Sequence, residues 1–187
     1  MAITLMPIMN VGGMQLFKIS NNDSSEKILP KSKEIALRLI LVYTTLTIFC
    51  ATSYKIFGMN FFDSITHSMT TIATGGFSNY NESLGFFNSR FIESSAIIFI
   101  LLGSIPFISY IKFLNGDREI FFKDIQIKTF LKIVFFSIVI LSIYLNFNGS
   151  IKFDFIAVLF NVISILTGTG YVNAQFDSWG SFSLVLF

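Results

Sequence analysis

Cysteine, histidine and charge are scarce in this chain. Its 187 residues include one cysteine, one histidine, one tryptophan and three prolines. A single cysteine excludes an intramolecular disulfide, and Cys50, inside an apolar run, reads as a small packing residue. One histidine and one thiol offer no ligand set for a transition metal. No cofactor is expected. Charged residues make up 13% of the chain and hydrophobic ones 53%, a balance too apolar for an ordinary water-soluble domain. A net charge of +2 gives no reason to expect a nucleic-acid partner. The apolar segments hold no convergent nucleophiles, acids or metal ligands, so a membrane-embedded enzyme is a poor reading. What is abundant is phenylalanine, 24 residues of it, which favours a lipid-facing surface over a compact aqueous core.

Three apolar runs approach or exceed the roughly 20 residues that a membrane-crossing helix needs. They are expected at residues 35–57, 91–114 and 127–147. A shorter run at 1–17 reads as the tail of a helix rather than a signal peptide, since no basic region precedes it. Asn10 and Gly12-Gly13 within it suit a helix terminus at the cytoplasmic surface. Another apolar run begins near residue 182. Two polar linkers, 18–34 and 115–126, separate the spans, and Pro30 is expected just ahead of the next helix. These linkers and the adjoining helix ends carry ten of the 13 basic residues (Lys18, Lys27, Lys31, Lys33, Arg38, Lys112, Arg118, Lys123, Lys128, Lys132). The alternate side carries only Lys55, Arg90 and Lys152. Basic residues concentrate on the cytoplasmic side, so the linkers face inward and the remaining connections face outward.

The outward connections contain the most informative motifs, Ala73-Thr74-Gly75-Gly76-Phe77 and Thr167-Gly168-Thr169-Gly170-Tyr171. Each follows a short helical run, 62–72 and 155–166. Glycine reaches positive φ without penalty and lets successive carbonyls converge on one axis. A ring of such carbonyls replaces the hydration shell of a monovalent cation. Neither loop contains an acid, which suits conduction better than tight capture. The short helices direct their C-terminal ends at the loops, an arrangement that favours positive charge. The order of elements therefore repeats: long span, Phe-Asp, short helix, glycine pair, polar stretch, apolar start. Phe62 to Phe77 is 15 positions and Phe153 to Tyr171 is 18, so the second short helix is longer or is entered differently.

Three stretches carry a family resemblance: Asn10-Val11-Gly12-Gly13-Met14-Gln15-Leu16-Phe17, then His67-Ser68-Met69-Thr70-Thr71-Ile72-Ala73-Thr74-Gly75-Gly76-Phe77-Ser78, and Phe160-Asn161-Val162-Ile163-Ser164-Ile165. The chain resembles the central portion of a potassium transporter of the Trk/Ktr/HKT superfamily, bacterial TrkH/TrkG type. That family arranges four helix–pore loop–helix units around one pore. The resemblance implies an all-α integral membrane protein with an incomplete set of a four-unit pore. It implies the end of a helix at 1–17, a cytoplasmic linker at 18–34 and a complete unit at 35–114. A second cytoplasmic linker at 115–126 and a second unit at 127–187, truncated in its last helix, follow. The second glycine motif is the looser match, because the family more often has another small or hydroxyl residue where Gly168 stands.

The resemblance also implies roles. Thr74, Gly75, Gly76, Thr167, Gly168, Thr169 and Gly170 would line a potassium filter, with Gly76 and Gly170 as its central glycines. Phe77 and Tyr171 would pack the filter from behind. Potassium is then the transported ligand, and the location is the bacterial cytoplasmic (inner) membrane. The implied partners are lipid, the missing pore units or companion fragments, a second copy as homodimer, and a cytosolic nucleotide-binding regulatory subunit. The alternative is a non-transporting membrane fragment or scaffold from a split or decayed gene. Other polar residues have plainer expectations. Asp63 and Asp154 suit helix N-caps, His67 packs in its helix or at the interface, and Tyr80 and Trp179 suit interfacial anchoring. Lys132 snorkels to the cytoplasmic face, and Pro106 kinks the second span. Glu82 and Asp177 read as solvated loop acids near the mouth.

Overall fold

The computed structural model describes residues 28–148, 154–174 and 179–180. The expectations for residues 1–27, Asp177 and the last apolar run lie outside them. Among the described residues every regular element is helical: α1 (Ile28–Ile56), α2 (Phe61–Ile72), a 3-10 turn (Ser83–Phe87), α3 (Arg90–Ser104), α4 (Phe107–Leu114), α5 (Ile120–Lys123), α6 (Ile125–Asn148) and α7 (Phe155–Leu166).

Two helices, over Glu34–Ile56 and Ile125–Phe147, are long and apolar enough to cross a membrane. They match the first and third expected spans. Helix α1 begins two residues before Pro30, not after it. A proline in the first turn sits where its missing N–H needs no partner. Along α1, Ala36, Val42, Cys50 and Tyr54 are buried, whereas Ile35, Leu41, Ile48 and Phe49 are exposed. One face meets protein and the other has the composition of a lipid contact.

The second span is broken where Pro106 was expected to kink it. It is two helices, α3 and α4, bent by 82°. Ile105, just before Pro106, is extended at φ −72° and ψ 137°. A proline disfavours the helical region for its predecessor, so the helix stops there and restarts at Phe107. Gly103 lies just before the break. A Cβ built on it would stand 2.7 Å from the Ile72 carbonyl oxygen, so α3 approaches the end of α2 at backbone distance. The linker at 115–126 is likewise not wholly irregular, because it holds the single turn α5.

The chain reverses between α1 and α2 through Gly58, at φ +108°. Met59 N–H donates to the Tyr54 carbonyl at 3.0 Å and Gly58 N–H to that of Lys55 at 3.3 Å, closing α1 with a Schellman pattern. Helix α2 then packs on α1 and α3, and α7 packs on α3 and α6. The core joins Cys50 and Tyr54 of α1 and Ile72 of α2 to Ile100 of α3, Phe160 and Ile163 of α7 and Tyr171. Both short helices therefore share one core. Cys50 is fully buried there, as its apolar setting suggested. Trp179 is buried against Leu141, Leu145, Val158 and Val162, not placed as an interfacial anchor.

Polar contacts hold the two ends of the bundle. At one end the Arg38 guanidinium bonds Asn115 and, at 2.7 Å, Glu34. At the other, Arg90 pairs with Asp154 and, at 3.1 Å, with Glu93. Residues from the two inward-assigned linkers thus meet at one end, and the glycine-bearing connections meet at the other.

Candidate functional site

Helices α2 and α7 are both 12 residues long. The extra positions in the second copy lie in its entry. The true register is set by the caps. Asn60 caps α2, its side chain accepting from Asp63 N–H at 2.7 Å. Asp154 caps α7, accepting from Ile156 N–H at 3.1 Å and Ala157 N–H at 3.3 Å. Asp154 is thus the N-cap expected of it, whereas Asp63 is not a cap. Three residues inside α2, its carboxylate accepts from Asn60 Nδ2 at 2.7 Å, Asn79 Nδ2 at 2.9 Å and the Tyr80 hydroxyl at 2.7 Å.

A spacing of 94 residues, that of Phe77 to Tyr171, also separates Asn60 from Asp154, Thr74 from Gly168, Gly75 from Thr169 and Gly76 from Gly170. Backbone conformation follows this register. The first residue past each cap is left-handed, Thr74 at φ 48° and Gly168 at φ 73°, and so are Gly76 at 63° and Gly170 at 81°. Thr74 N–H bonds the Thr71 carbonyl at 3.1 Å, and Gly168 N–H bonds that of Ile165 at 2.9 Å. Left-handed geometry at this position explains why glycine serves at 168, where a threonine serves at 74. Past the glycines, Thr70 Oγ1 donates to the Phe77 carbonyl at 3.0 Å, and Ser164 Oγ donates to the Tyr171 carbonyl at 2.8 Å. The two loops are one structural motif built twice.

The loops also touch. A Cβ at Gly76 would lie 1.9 Å from the Thr169 carbonyl oxygen and 3.2 Å from the Gly170 carbonyl carbon. At Gly168 and Gly170 a Cβ would meet open space. The Gly75 position has ordinary contacts, 3.5 Å to the Phe77 ring. Thr167 Oγ1 and Thr169 Oγ1 are 2.7 Å apart, and Thr74 Oγ1 turns back to the Ala73 carbonyl at 2.8 Å. The nine site residues expected from sequence thus fall in two adjoining loops.

The two aromatic residues differ. Tyr171 is fully buried, and its ring lies behind the first loop. Phe77 is 77% exposed, so in this chain it does not pack behind the loop as expected. His67 is a buried packing residue: Nδ1 lies 2.9 Å from the Asp63 carbonyl, Nε2 lies 3.0 Å from Ser78 Oγ, and its ring stacks with Tyr80 and Tyr171.

Tyr80 belongs to the outer wall rather than to an interfacial belt. Its ring stacks on Phe86 at 3.7 Å between centroids, and its hydroxyl serves Asp63. Burial alone would raise the Asp63 carboxyl, but hydrogen bonds from Tyr80, Asn79 and Asn60, together with His67, hold it below its usual value. The 3-10 turn braces the second loop, with Gly85 N–H donating to the Val172 carbonyl at 3.2 Å and Val172 N–H to Ser83 Oγ at 3.2 Å. Glu82 stays exposed on that turn's approach. Sequence reading missed the Arg90, Glu93 and Asp154 cluster that ties the start of α3 to α7. Its one signal is a buried glutamate, 6% exposed, beside an arginine in an otherwise apolar helix.

A family model described as "TrkH: Cation transport protein" matches residues 1–147. The Trk system potassium uptake protein TrkI of Halomonas elongata is 34% identical over 189 residues, covering all of this chain and 38% of that protein. The Trk system potassium uptake protein TrkH of Escherichia coli K12 is 31% identical, covering all of this chain and 40% of its own. The crystal structure of the potassium transporter TrkH from Vibrio parahaemolyticus superposes with a TM-score of 0.81 at 28% identity, over 99% of this chain and 39% of that one. The chain spans about two fifths of the length of the curated relatives it matches.

Proposed function

The chain belongs to the TrkH family of cation transport proteins, and on that premise we propose that it supplies two of the filter loops of a Trk-type potassium uptake system. It is a multi-pass protein of the bacterial cytoplasmic membrane. The proposed filter residues are Thr74, Gly75 and Gly76 from the first loop and Thr167, Gly168, Thr169 and Gly170 from the second, with potassium as the ion carried. Residues 35–114 are proposed as one helix–pore loop–helix unit and 127–187 as the next, joined by a cytoplasmic linker at 115–126.

One observation carries the reading. Gly76 meets the backbone of Thr169 at a distance that excludes any side chain. Two glycine loops 94 residues apart that meet backbone to backbone are placed as carbonyls serving one axis would be. Such neutral oxygens, with helix C-termini behind them, suit a cation that sheds water at modest cost.

Two loops form half of the four-part ring that the resemblance implies. Companion pore units therefore complete the site, and a second copy and a cytosolic nucleotide-binding subunit are the further partners proposed. The test is rescue of growth at low potassium in a transport-deficient cell. The chain together with the missing units should restore uptake, and Gly76→Ser should abolish or degrade it. Rescue that is indifferent to both glycines would leave a membrane scaffold as the better reading.

A further inference from the structure

We propose that the Tyr171 hydroxyl is a selectivity-setting strut that fixes the exit peptide of the adjoining loop. This rests on the filter reading above and adds a residue to it. The side chain leaves the second loop and ends behind the first. Its oxygen bonds Thr70 Oγ1 and lies 3.2 Å from the His67 carbonyl, 3.4 Å from the Phe77 carbonyl and 3.5 Å from Thr71 Oγ1. Tyr171, Thr71 and Tyr54 are all fully buried, so these groups have one another for partners and no bulk water.

Counting protons shows what the hydroxyl does. Thr71 Oγ1 donates to the His67 carbonyl at 2.7 Å and accepts from the Tyr54 hydroxyl at 2.9 Å. His67 O therefore already accepts one side-chain hydrogen bond. Between Tyr171 and Thr70 one hydroxyl donates to the other, and the Phe77 carbonyl is within reach of whichever proton is left over, 3.0 Å from Thr70 and 3.4 Å from Tyr171. Without the tyrosine oxygen, Thr70 has one proton and three acceptors: the Thr66 carbonyl at 3.3 Å, His67 O at 3.1 Å and Phe77 O. Turning back to its own helix is a common choice for a helical threonine. The peptide after Gly76 then loses its certain anchor.

The repeat isolates the device. The residue equivalent to Tyr171 in the first loop is Phe77, which has no hydroxyl and is exposed. In the second loop the exit carbonyl accepts from Ser164 Oγ of its own helix at 2.8 Å. The strut thus acts in one direction, from the second loop onto the first. Tyr171 is a positioning residue, since its hydroxyl touches no ion.

The experiment uses the complete assembly reconstituted in liposomes. Tyr171→Phe keeps the ring and its packing. The potassium-to-sodium flux ratio should fall about three- to tenfold, the worth of one net hydrogen bond. Thr70→Val should fall similarly, Thr70→Ser should keep the ratio, and the Tyr171→Phe/Thr70→Val pair should be no worse than the stronger single change. Amide hydrogen exchange over residues 76–79 should quicken severalfold in Tyr171→Phe, whatever the flux. An unselective wild type would overturn the filter reading and this proposal with it. A selective wild type with an unchanged ratio or unchanged exchange in Tyr171→Phe would overturn the strut alone.

Discussion

At the residue scale Gly76 and Gly170, the central glycines of the proposed filter loops, do different work. Both are left-handed, which costs a side-chain-bearing residue roughly 1–2 kcal/mol. Only Gly76 is also enclosed, with the Thr169 carbonyl where a methyl group would stand. Gly76→Ala should therefore push the loops apart and lower the thermal midpoint of the assembly more than Gly170→Ala, which strains φ alone. Equal losses would mean that the loops do not meet at Gly76 in the membrane. Asp63 gives a second residue-level expectation. Its folded-state carboxyl is lowered, so its contribution to stability is complete above the unfolded value and drains away as pH falls through the folded one. The outer wall should loosen on the acid side, and Asp63→Asn should flatten that part of a pH series of thermal midpoints. The glycines were legible because few other residues accept their conformation. Asp63 was misread as a cap because a Phe-Asp pair recurs before both helices, while the capping oxygen of the first belongs to Asn60. The Tyr171 hydroxyl was illegible in kind, since its partner Thr70 is 101 residues away.

At the element scale, apolar runs and charge located the long helices α1 and α6 closely, because bilayer thickness dictates their length. The kink expected at Pro106 in the second span is a full break between two helices. Apolar content does not register an 82° bend, and Pro106 alone signals a kink without its size. Pro106 stops the helix, and just before the break Gly103 lets α3 reach the end of α2. Gly103→Ala should displace α3 from the Ile72 carbonyl and destabilise the bundle by about 1–3 kcal/mol, the usual range for overpacking. Unfolding of the purified protein measures this, and a neutral substitution would mean that α3 and α2 are not in backbone contact. The repeat was visible as an order of elements, but its register was not. The three extra positions of the second copy left open a longer helix or a different entry, and with both helices at 12 residues it is the entry that differs.

At the scale of the whole molecule, the distribution of basic residues and the packing of the ends agree. Arg38 of α1 meets Asn115 of the linker after α4, and Arg90 meets Asp154 at the far end. A cysteine at exposed Asn81 should react with an impermeant reagent added outside, and one at Gly116 only after the membrane is opened. The opposite pattern would invert the topology. The chain expressed alone should insert and give no potassium uptake, because two loops leave half of a four-part ring unfilled and their backbone groups without partners. Uptake by the chain alone would instead point to a pore made of its own copies. The central claim is that these two loops are filter loops. Its most direct test is the potassium-to-sodium flux ratio of the complete assembly carrying Gly76→Ser or Gly170→Ser. Both substitutions should lower the ratio, Gly76→Ser the more severely; ratios unchanged from wild type in both would show that these glycines turn the chain and do nothing to the ion.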